Sequence, residues 1–391
     1  MKTLRNAVIA IFAGLILMIS CKKSDIALPK SEANIDSIAS KYYEGYLKMY
    51  PLEATMQGDS RYNDLLSNNI SSEFISKEIE FYTDTQKKLK SIDYDDLSDE
   101  QKTVYDVLDY TLKDKIERYA YHPELLPFSQ FEGLPLDFPL LGSAEGNQPF
   151  KTTKDYDNWL KRIDAFVIWM NTAEKNFREG MKQNVVLPKK LVVKMIPQMH
   201  SEEIITEDFD KNIFYGPIKK MPKNFSAKDK EKYKILYQEA ISSKIIPAYQ
   251  KMGDFLEKEY LPKARNTDGI NALPNGKNIY EYYAKSWTTT NKTPEKINKI
   301  GLQQVAMLRA EMEKVKTQLG FKGSLEQFLT SLKTDKKAMP YKTPEEVIAA
   351  FNGILKKIEP KLPSMFSKFP KTPFEIRRTE KFREASASAE Y

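Results

Sequence analysis

Hydrophobic positions recur at spacings of three and four along most of the chain, a period typical of amphipathic α-helices. The clearest stretch is KDYDNWLKRIDAFVIWMNTAEKNFREGMKQ at residues 154–183. Ile168 and Trp169 widen its apolar stripe, which predicts a long helix packed on more than one side. The stripe itself consists of Tyr156, Trp159, Leu160, Ile163, Phe166, Val167, Met170, Ala173 and Phe177.

Capping residues mark several helix boundaries. Thr343-Pro344-Glu345-Glu346 gives an N-cap, a first-turn proline and a capping-box glutamate in the order that begins a helix. Ser324 and Gln327 have the same spacing. Thr293-Pro294 begins another helix, which we expect to end at Gly320. The apolar positions of that helix are Ile297, Ile300, Leu308, Met312, Val315 and Leu319.

A further helix is expected to begin at Ser226 and to be kinked or divided by Pro247, since an internal proline removes a backbone hydrogen bond. Residues 121–150, rich in proline and aromatic side chains, break the helical pattern. A segment of this kind usually wraps a helical body or lines a cleft.

No clean linker and no internal repeat divides the body of the chain. We therefore predict an all-α fold of long packed helices, as a single domain over residues 34–391. Residues 374–380, FEIRRTE, alternate between two faces, which indicates a short exposed strand near the C-terminus.

Composition fits a globular protein that packs helices. Hydrophobic residues make up 41% and charged residues 29%, and 15 Gly are few beside 22 Tyr and 20 Phe. The net charge of +7 comes from 61 Lys+Arg against 54 Asp+Glu. Stretches such as KDKEKYK could bind a polyanion, but interleaved charges are more typical of solvated helix faces. No nucleic-acid partner is expected.

The N-terminus has the pattern of a secretory signal, with Lys2 and Arg5 before a short apolar run. The run ends in Met-Ile-Ser-Cys at residues 18–21, which resembles the bacterial lipobox. We predict a lipoprotein signal peptide at 1–20, lipidation such as palmitate on Cys21, and a polar tether at 21–33. The alternative is an ordinary signal peptide in which the single cysteine is incidental.

Candidate catalytic chemistry is sparse. The two histidines are His122, in a turn before a proline, and His200, beside Glu202 and Glu203. These offsets share no helical face, and zinc sites usually need more than one His or Cys, so no metal site is predicted here. The sequence has no His-Glu-x-x-His, no P-loop and no Gly-x-Ser-x-Gly motif.

An aromatic segment, NIYEYYAKSWTTTNKTPE at residues 278–295, is more unusual. It either forms aromatic core with a capping loop, or it forms a cleft wall whose hydroxyl groups bind a peptide-like ligand. The possible cleft-lining residues are Asn275, Tyr280, Tyr283, Thr289, Arg377 and Arg378.

The longer stretch around this segment, ALPNGKNIYEYYAKSWTTTNKTPEKINKIGLQQVAMLRAEM, resembles the bacterial family known as domain of unknown function 885. The family pattern has Leu-Pro-x-Gly-x-x-x-Tyr, a Thr-Thr segment and a Thr-Pro-Glu helix with Gly-Leu. Other stretches are similar to it in the same order, namely YPLEATMQGDSRYNDLL, FKTTKDYDNWLKRI, REGMKQNVVLPKKLVVKMIPQM and RRTEKFREASASAEY.

The resemblance implies a largely helical, gluzincin-like zinc metallopeptidase, of which this chain would be a partial zincin-like helical domain. In the family a His-Glu-x-x-His helix holds zinc and activates water, and it follows the segment that corresponds to residues 385–391. The chain is therefore expected to be truncated before that helix. No catalytic residue, metal ligand or cofactor is predicted within it, and zinc is expected only where the C-terminal region is present.

Two functions remain open. The first is a lipid-anchored, metallopeptidase-like family member, non-catalytic as written. The second is a helical surface lipoprotein that binds a ligand or partner without enzymatic activity. Both place the protein in the bacterial cell envelope, at the periplasmic or outer-membrane surface, with the membrane as partner through Cys21.

Overall fold

The computed structural model describes residues 34–337 and 339–378. The signal peptide and tether predicted for residues 1–33, with the lipidation site at Cys21, lie outside the described residues. Within the described ranges, no helix is both long enough and apolar enough to cross a membrane.

The chain divides into two compact units between Pro294 and Glu295. We predicted a single domain over residues 34–391, and the structure differs from that prediction. The division falls inside the first turn of a helix, where Thr293-Pro294 gives the same signal as any other helix start. Because no proline-, glycine- or serine-rich linker marks the boundary, the sequence pattern does not reveal it.

The first unit consists of helices joined by short turns and by irregular segments. Its α-helices are α1 (Ile35–Met49), α2 (Pro51–Met56), α3 (Ser72–Lys90), α4 (Asp99–Arg118), α5 (Leu134–Gly142), α6 (Thr153–Lys182), α7 (Lys189–Met199), α8 (Glu202–Ile205), α9 (Gly216–Lys219), α10 (Ala227–Ala240), α11 (Ile246–Phe255) and α12 (Gly276–Thr288).

The second unit contains α13 (Pro294–Gln318), α14 (Leu325–Thr334), α15 (Pro344–Ile358) and α16 (Leu362–Met365). The predicted caps are confirmed, because Thr343 accepts a hydrogen bond from the Glu346 amide and Ser324 forms a capping box with Gln327. Gly320 has a φ of 72°, as expected just after a helix end. The apolar positions of α13 are largely exposed, among them Ile300, Leu302, Val305, Leu308, Met312 and Val315.

The all-α prediction is confirmed, since the described part of the chain has no β-strand and only one isolated bridge, between Pro188 and Arg265. The predicted strand is wrong for residues 374–378, which are irregular. Alternation alone does not make a strand, because a strand needs a neighbour to satisfy its backbone hydrogen bonds.

Helix α6 is the centre of the first unit. Its predicted stripe is buried except at Leu160 and Val167, which are half-buried, and Phe166 stacks on Phe138 of α5 with ring centroids 4.0 Å apart. Phe138 also stacks on Trp159, at 4.6 Å. Trp169 is buried as predicted, but Ile168 is 58% exposed, so the stripe is narrower on that side. This packing fixes α6 as the scaffold on which the surrounding segments rest.

Two π-helical turns interrupt the helix that begins after the Ser226 cap. The first, Ile241–Ile245, directly precedes α11, whose first turn contains Pro247. This confirms the predicted disruption, because a proline cannot donate the hydrogen bond that continues an α-helix. The second π-turn, Leu256–Tyr260, follows α11.

A buried arginine joins α6 to the segment formed by residues 51–65. Arg162 is fully buried, and its Nε donates to the Leu65 carbonyl at 3.0 Å while Nη2 donates to Thr55 Oγ1 at 2.7 Å. Its Nη1 donates to Gln148 Oε1. Burial lowers the pKa of Arg162 to about 10, since the charged form loses its hydration. This arginine therefore organises the loop after α2 around α6.

Candidate functional site

A cleft of about 680 Å³ opens in the first unit. Its size is within the range of small-molecule and peptide sites. The wall is formed by the end of α1 and by α2, by residues 66–75, by the last turn of α4, by residues 119–137, and by residues 270–283. The irregular segment at 121–150 was predicted to wrap the body or line a cleft, and its first half does line one.

Beneath part of this wall lies a buried carboxylate. Glu78 of α3 is only 1% exposed and accepts hydrogen bonds from the hydroxyl groups of Tyr50, Tyr82 and Tyr119. Tyr50 and Tyr119 also line the cleft. The Glu78 carboxylate therefore fixes two aromatic rings of the wall from behind, through charge-assisted hydrogen bonds.

The local sequence explains why this glutamate is buried. Glu78 lies on the same face of α3 as Tyr82, Thr85 and Leu89, at helical spacing. That face packs into a hydrophobic cluster with α1 and α4. A carboxylate at such a position would be costly without partners, and the three phenols supply them. Sequence analysis missed Glu78, although an acidic residue inside an apolar stripe was the available signal.

The tyrosines around Glu78 have raised pKa values. Burial is the main cause of the raised pKa of Tyr50, Tyr82 and Tyr119, and the negative charge of Glu78 adds to it. For Tyr46, burial together with the nearby Glu53 raises the pKa to about 12. These phenols therefore stay protonated and act as hydrogen-bond donors at neutral pH.

The cleft lining carries both signs of charge. Lys115 and Arg118 lie in the last turn of α4. The acidic lining residues are Glu53 in α2, Glu132 in the irregular segment and Asp137 in α5. Burial raises the pKa of Asp137, and the charge of Glu132 raises it further. A ligand with both donor and acceptor groups can be matched by such a lining.

One carboxylate oxygen in the lining lacks a protein partner. Glu124 Oε1 lies 3.0 Å from Nδ1 of His122, but Glu124 Oε2 is buried and has no hydrogen-bond partner in the structure. His122 adopts a left-handed conformation with a φ of 49°, at the junction that turns the chain from α4 into the cleft wall. A buried acceptor without a partner is costly, so a ligand N–H or O–H group that reached this oxygen would be stabilised by it.

The predicted cleft residues do not all meet in one place. Tyr283 of α12 lines the cleft. Asn275 and Thr289 cap the two ends of α12 in left-handed conformations, and Tyr280 is 46% exposed. Arg377 is exposed and belongs to the second unit. In that unit Arg378 lines a separate open pocket, where its guanidinium lies 3.4 Å from Glu345.

The described residues do not fit the zinc site that the family resemblance implies. Their one group of three potential ligands with ligand atoms within 4.8 Å of one another is His200, Asp254 and Glu257. This group contains a single imidazole, whereas the implied site needs two histidines one helical turn apart. His122 contacts Glu124 instead. We therefore derive no zinc-dependent step from the described residues.

Comparisons with known proteins agree with this architecture. Residues 51–391 match a family model described as "Bacterial protein of unknown function (DUF885)". No curated protein matches the sequence. The fold is similar to "The crystal structure of the putative lipoprotein from Colwellia psychrerythraea", with a TM-score of 0.78 and 18% sequence identity. That match covers 92% of this chain and 64% of the other, so this chain spans less than two thirds of the length of its structural relative.

Proposed function

Because the chain belongs to the bacterial family of proteins of unknown function DUF885, we propose that it is a lipid-anchored envelope protein whose cleft binds a peptide-like ligand. The cleft of about 680 Å³ in the first unit is the observation that carries the binding function. Its mixture of aromatic rings, both signs of charge and an unpartnered carboxylate oxygen at Glu124 suits a chain of amides with charged groups.

The aromatic and polar parts of the wall have different roles in this proposal. Tyr50 and Tyr119, fixed by Glu78, offer rigid surfaces against which apolar side chains of a peptide can pack. Glu124 Oε2 accepts a main-chain or terminal N–H group. Arg118 attracts a carboxylate of the ligand.

The proposed envelope location is supported by the Met-Ile-Ser-Cys stretch at residues 18–21 and by a structural relative described as a "putative lipoprotein". Acyl chains on Cys21 would hold the protein at a membrane surface. Replacing Cys21 by serine is expected to move the protein from the membrane fraction to the soluble fraction, and to abolish labelling by radioactive palmitate. Unchanged membrane association of the Cys21→Ser protein would contradict the anchor.

No hydrolytic step is assigned to the described residues. The resemblance to zinc metallopeptidases concerns a motif that this sequence does not contain, and the histidines present do not form a pair. The proposal is therefore ligand binding, the function that the cleft supports by itself.

Peptide binding can be tested by fluorescence polarisation with short labelled peptides that carry free or blocked termini. We expect saturable binding that is weakened at least about tenfold, or by about 1.4 kcal/mol, in the Arg118→Gln and Tyr283→Ala variants. Lys113→Gln is the matched control, because Lys113 is exposed on α4 and pairs with Asp109 outside the cleft lining.

The outcome of that experiment separates binding in the cleft from binding elsewhere. Equal affinity of the protein and both cleft variants would place any peptide outside the cleft. A lack of binding by every peptide in the panel would contradict a peptide-like ligand.

A further inference from the structure

A histidine and two carboxylates converge on the surface of the first unit, and the peptide-binding proposal does not use them. His200 caps the C-terminus of α7, Asp254 lies in the last turn of α11, and Glu257 lies in the π-turn that follows. Each offers a ligand atom, and these atoms all lie within 4.8 Å of one another. The ring Nε2 of His200 is 3.9 Å from Asp254 Oδ1.

The spacing along the chain explains how the two carboxylates share one side. Asp254 and Glu257 are three residues apart, which places them on neighbouring positions of a helical face. The π-turn begins at Leu256, between them, and single π-turns inside helices frequently occur at functional sites. Both carboxylates therefore lie close to His200 at the end of α7.

A glycine permits the close approach of the histidine. A Cβ atom at Gly253 would lie 2.4 Å from Nε2 of His200 and 2.7 Å from Cε1, closer than such atoms can approach. The imidazole therefore lies directly against the backbone of α11, beside the carboxylate of the next residue. A side chain at this position would have to displace the ring, so the glycine leaves room for the imidazole beside the two acids.

The three groups are a suitable donor set for a transition metal. Imidazole nitrogen binds zinc and its neighbours among the transition metals, carboxylate oxygens also suit Mn²⁺, and three protein ligands leave positions for water. The site already attracts a cation, since Lys258 Nζ lies 2.9 Å from Asp254 Oδ2. That lysine is exposed on a flexible side chain and can move aside.

We propose that His200, Asp254 and Glu257 bind one divalent transition-metal ion and so join the end of α7 to α11. The bound ion would replace the Lys258 ammonium as the partner of Asp254. Because α7 and α11 are otherwise packed side by side, metal binding would stabilise their contact without a large rearrangement.

Isothermal titration of the tag-free, chelator-treated protein with Zn²⁺ tests the site. We expect one ion per chain, binding at least about tenfold weaker in Asp254→Asn and Glu257→Gln, and no binding at that site in His200→Ala. Lys258→Gln should bind more tightly, because it removes a competing cation. Co²⁺ should give an absorption spectrum of a nitrogen- and oxygen-ligated ion that the His200→Ala protein lacks.

The other histidine supplies the matched control. His122→Ala leaves the three ligands intact and should bind Zn²⁺ as the unaltered protein does. Far-ultraviolet circular dichroism of each variant without metal shows whether it is folded, so a loss of binding can be distinguished from a loss of structure. The proposal is overturned if no stoichiometric Zn²⁺ binds, if binding persists in folded His200→Ala, or if His122→Ala loses it equally.

Discussion

Replacing Arg162 by alanine is expected to lower the free energy of unfolding of the first unit by about 4 kcal/mol. The guanidinium donates to the Leu65, Pro51 and Tyr62 carbonyls, as well as to Thr55 Oγ1 and Gln148 Oε1. Each buried acceptor that loses its donor costs roughly 1–3 kcal/mol, and the removed side chain leaves a cavity. Urea denaturation followed by circular dichroism measures the change.

Lys161→Ala is the matched control for that substitution. Lys161 precedes Arg162 on α6, is exposed, and pairs only at the surface with Asp64. An exposed ion pair contributes about 0–1 kcal/mol, so this variant should unfold close to the unaltered protein. A similar loss of stability in both variants, or none in Arg162→Ala, would contradict the role given to the buried arginine.

Glu78→Ala is expected to cost about 3 kcal/mol, because it removes the common acceptor of three tyrosine hydroxyl groups. Glu78→Gln should be milder, since an amide can still accept from two hydroxyls and can donate to the third. Chemical denaturation of both variants gives the order of stability that the account predicts, with alanine below glutamine.

The exposed Glu80, two residues along α3, gives the control for Glu78. Glu80→Ala should change the free energy of unfolding by no more than about 0.5 kcal/mol, as is usual for surface positions. Because Glu78 fixes Tyr50 and Tyr119, Glu78→Ala should also weaken peptide binding, whereas Glu80→Ala should not. Equal free energies of unfolding for Glu78→Ala and Glu80→Ala would contradict a stabilising role of the Glu78 carboxylate in the cleft wall.

The three tyrosines that bind Glu78 also make the free energy of unfolding depend on pH in the alkaline range. The pKa values of Tyr50, Tyr82 and Tyr119 are raised in the folded protein, so their contribution to stability is complete below about pH 10, the value of a free tyrosine. Above that pH the unfolded chain ionises first, and stability falls by roughly 1.4 kcal/mol per pH unit for each such tyrosine. Phenolate absorbance should therefore rise together with unfolding.

Local patterns in the sequence were sufficient to predict the main helices. The stripe of α6, the caps at Ser324 and Thr343 and the disruption near Pro247 each depend on residues a few positions apart. These short-range patterns predict the observed helices because the tertiary packing favours the same helices. The order of several weak motifs likewise indicated the family correctly.

The cleft could be anticipated only in part. The proline- and aromatic-rich segment indicated a cleft wall. The hydrogen bonds of Glu78 with Tyr50 and Tyr119, however, join residues that are 28 and 41 positions apart in the sequence. Arg162 meets Leu65 across 97 residues. Contacts at such separation leave no periodic trace in the sequence, so the sequence does not show which of these residues meet. The placement of His200 against Gly253 was hidden for the same reason.

The most direct test of the account is a crystal structure of the protein with the tightest peptide from the binding panel. We predict that the peptide lies in the cleft of the first unit, with an N–H group donating to Glu124 Oε2 and with rings of Tyr50 or Tyr119 against its side chains. A peptide bound elsewhere on the molecule, with the cleft empty, would contradict the central claim.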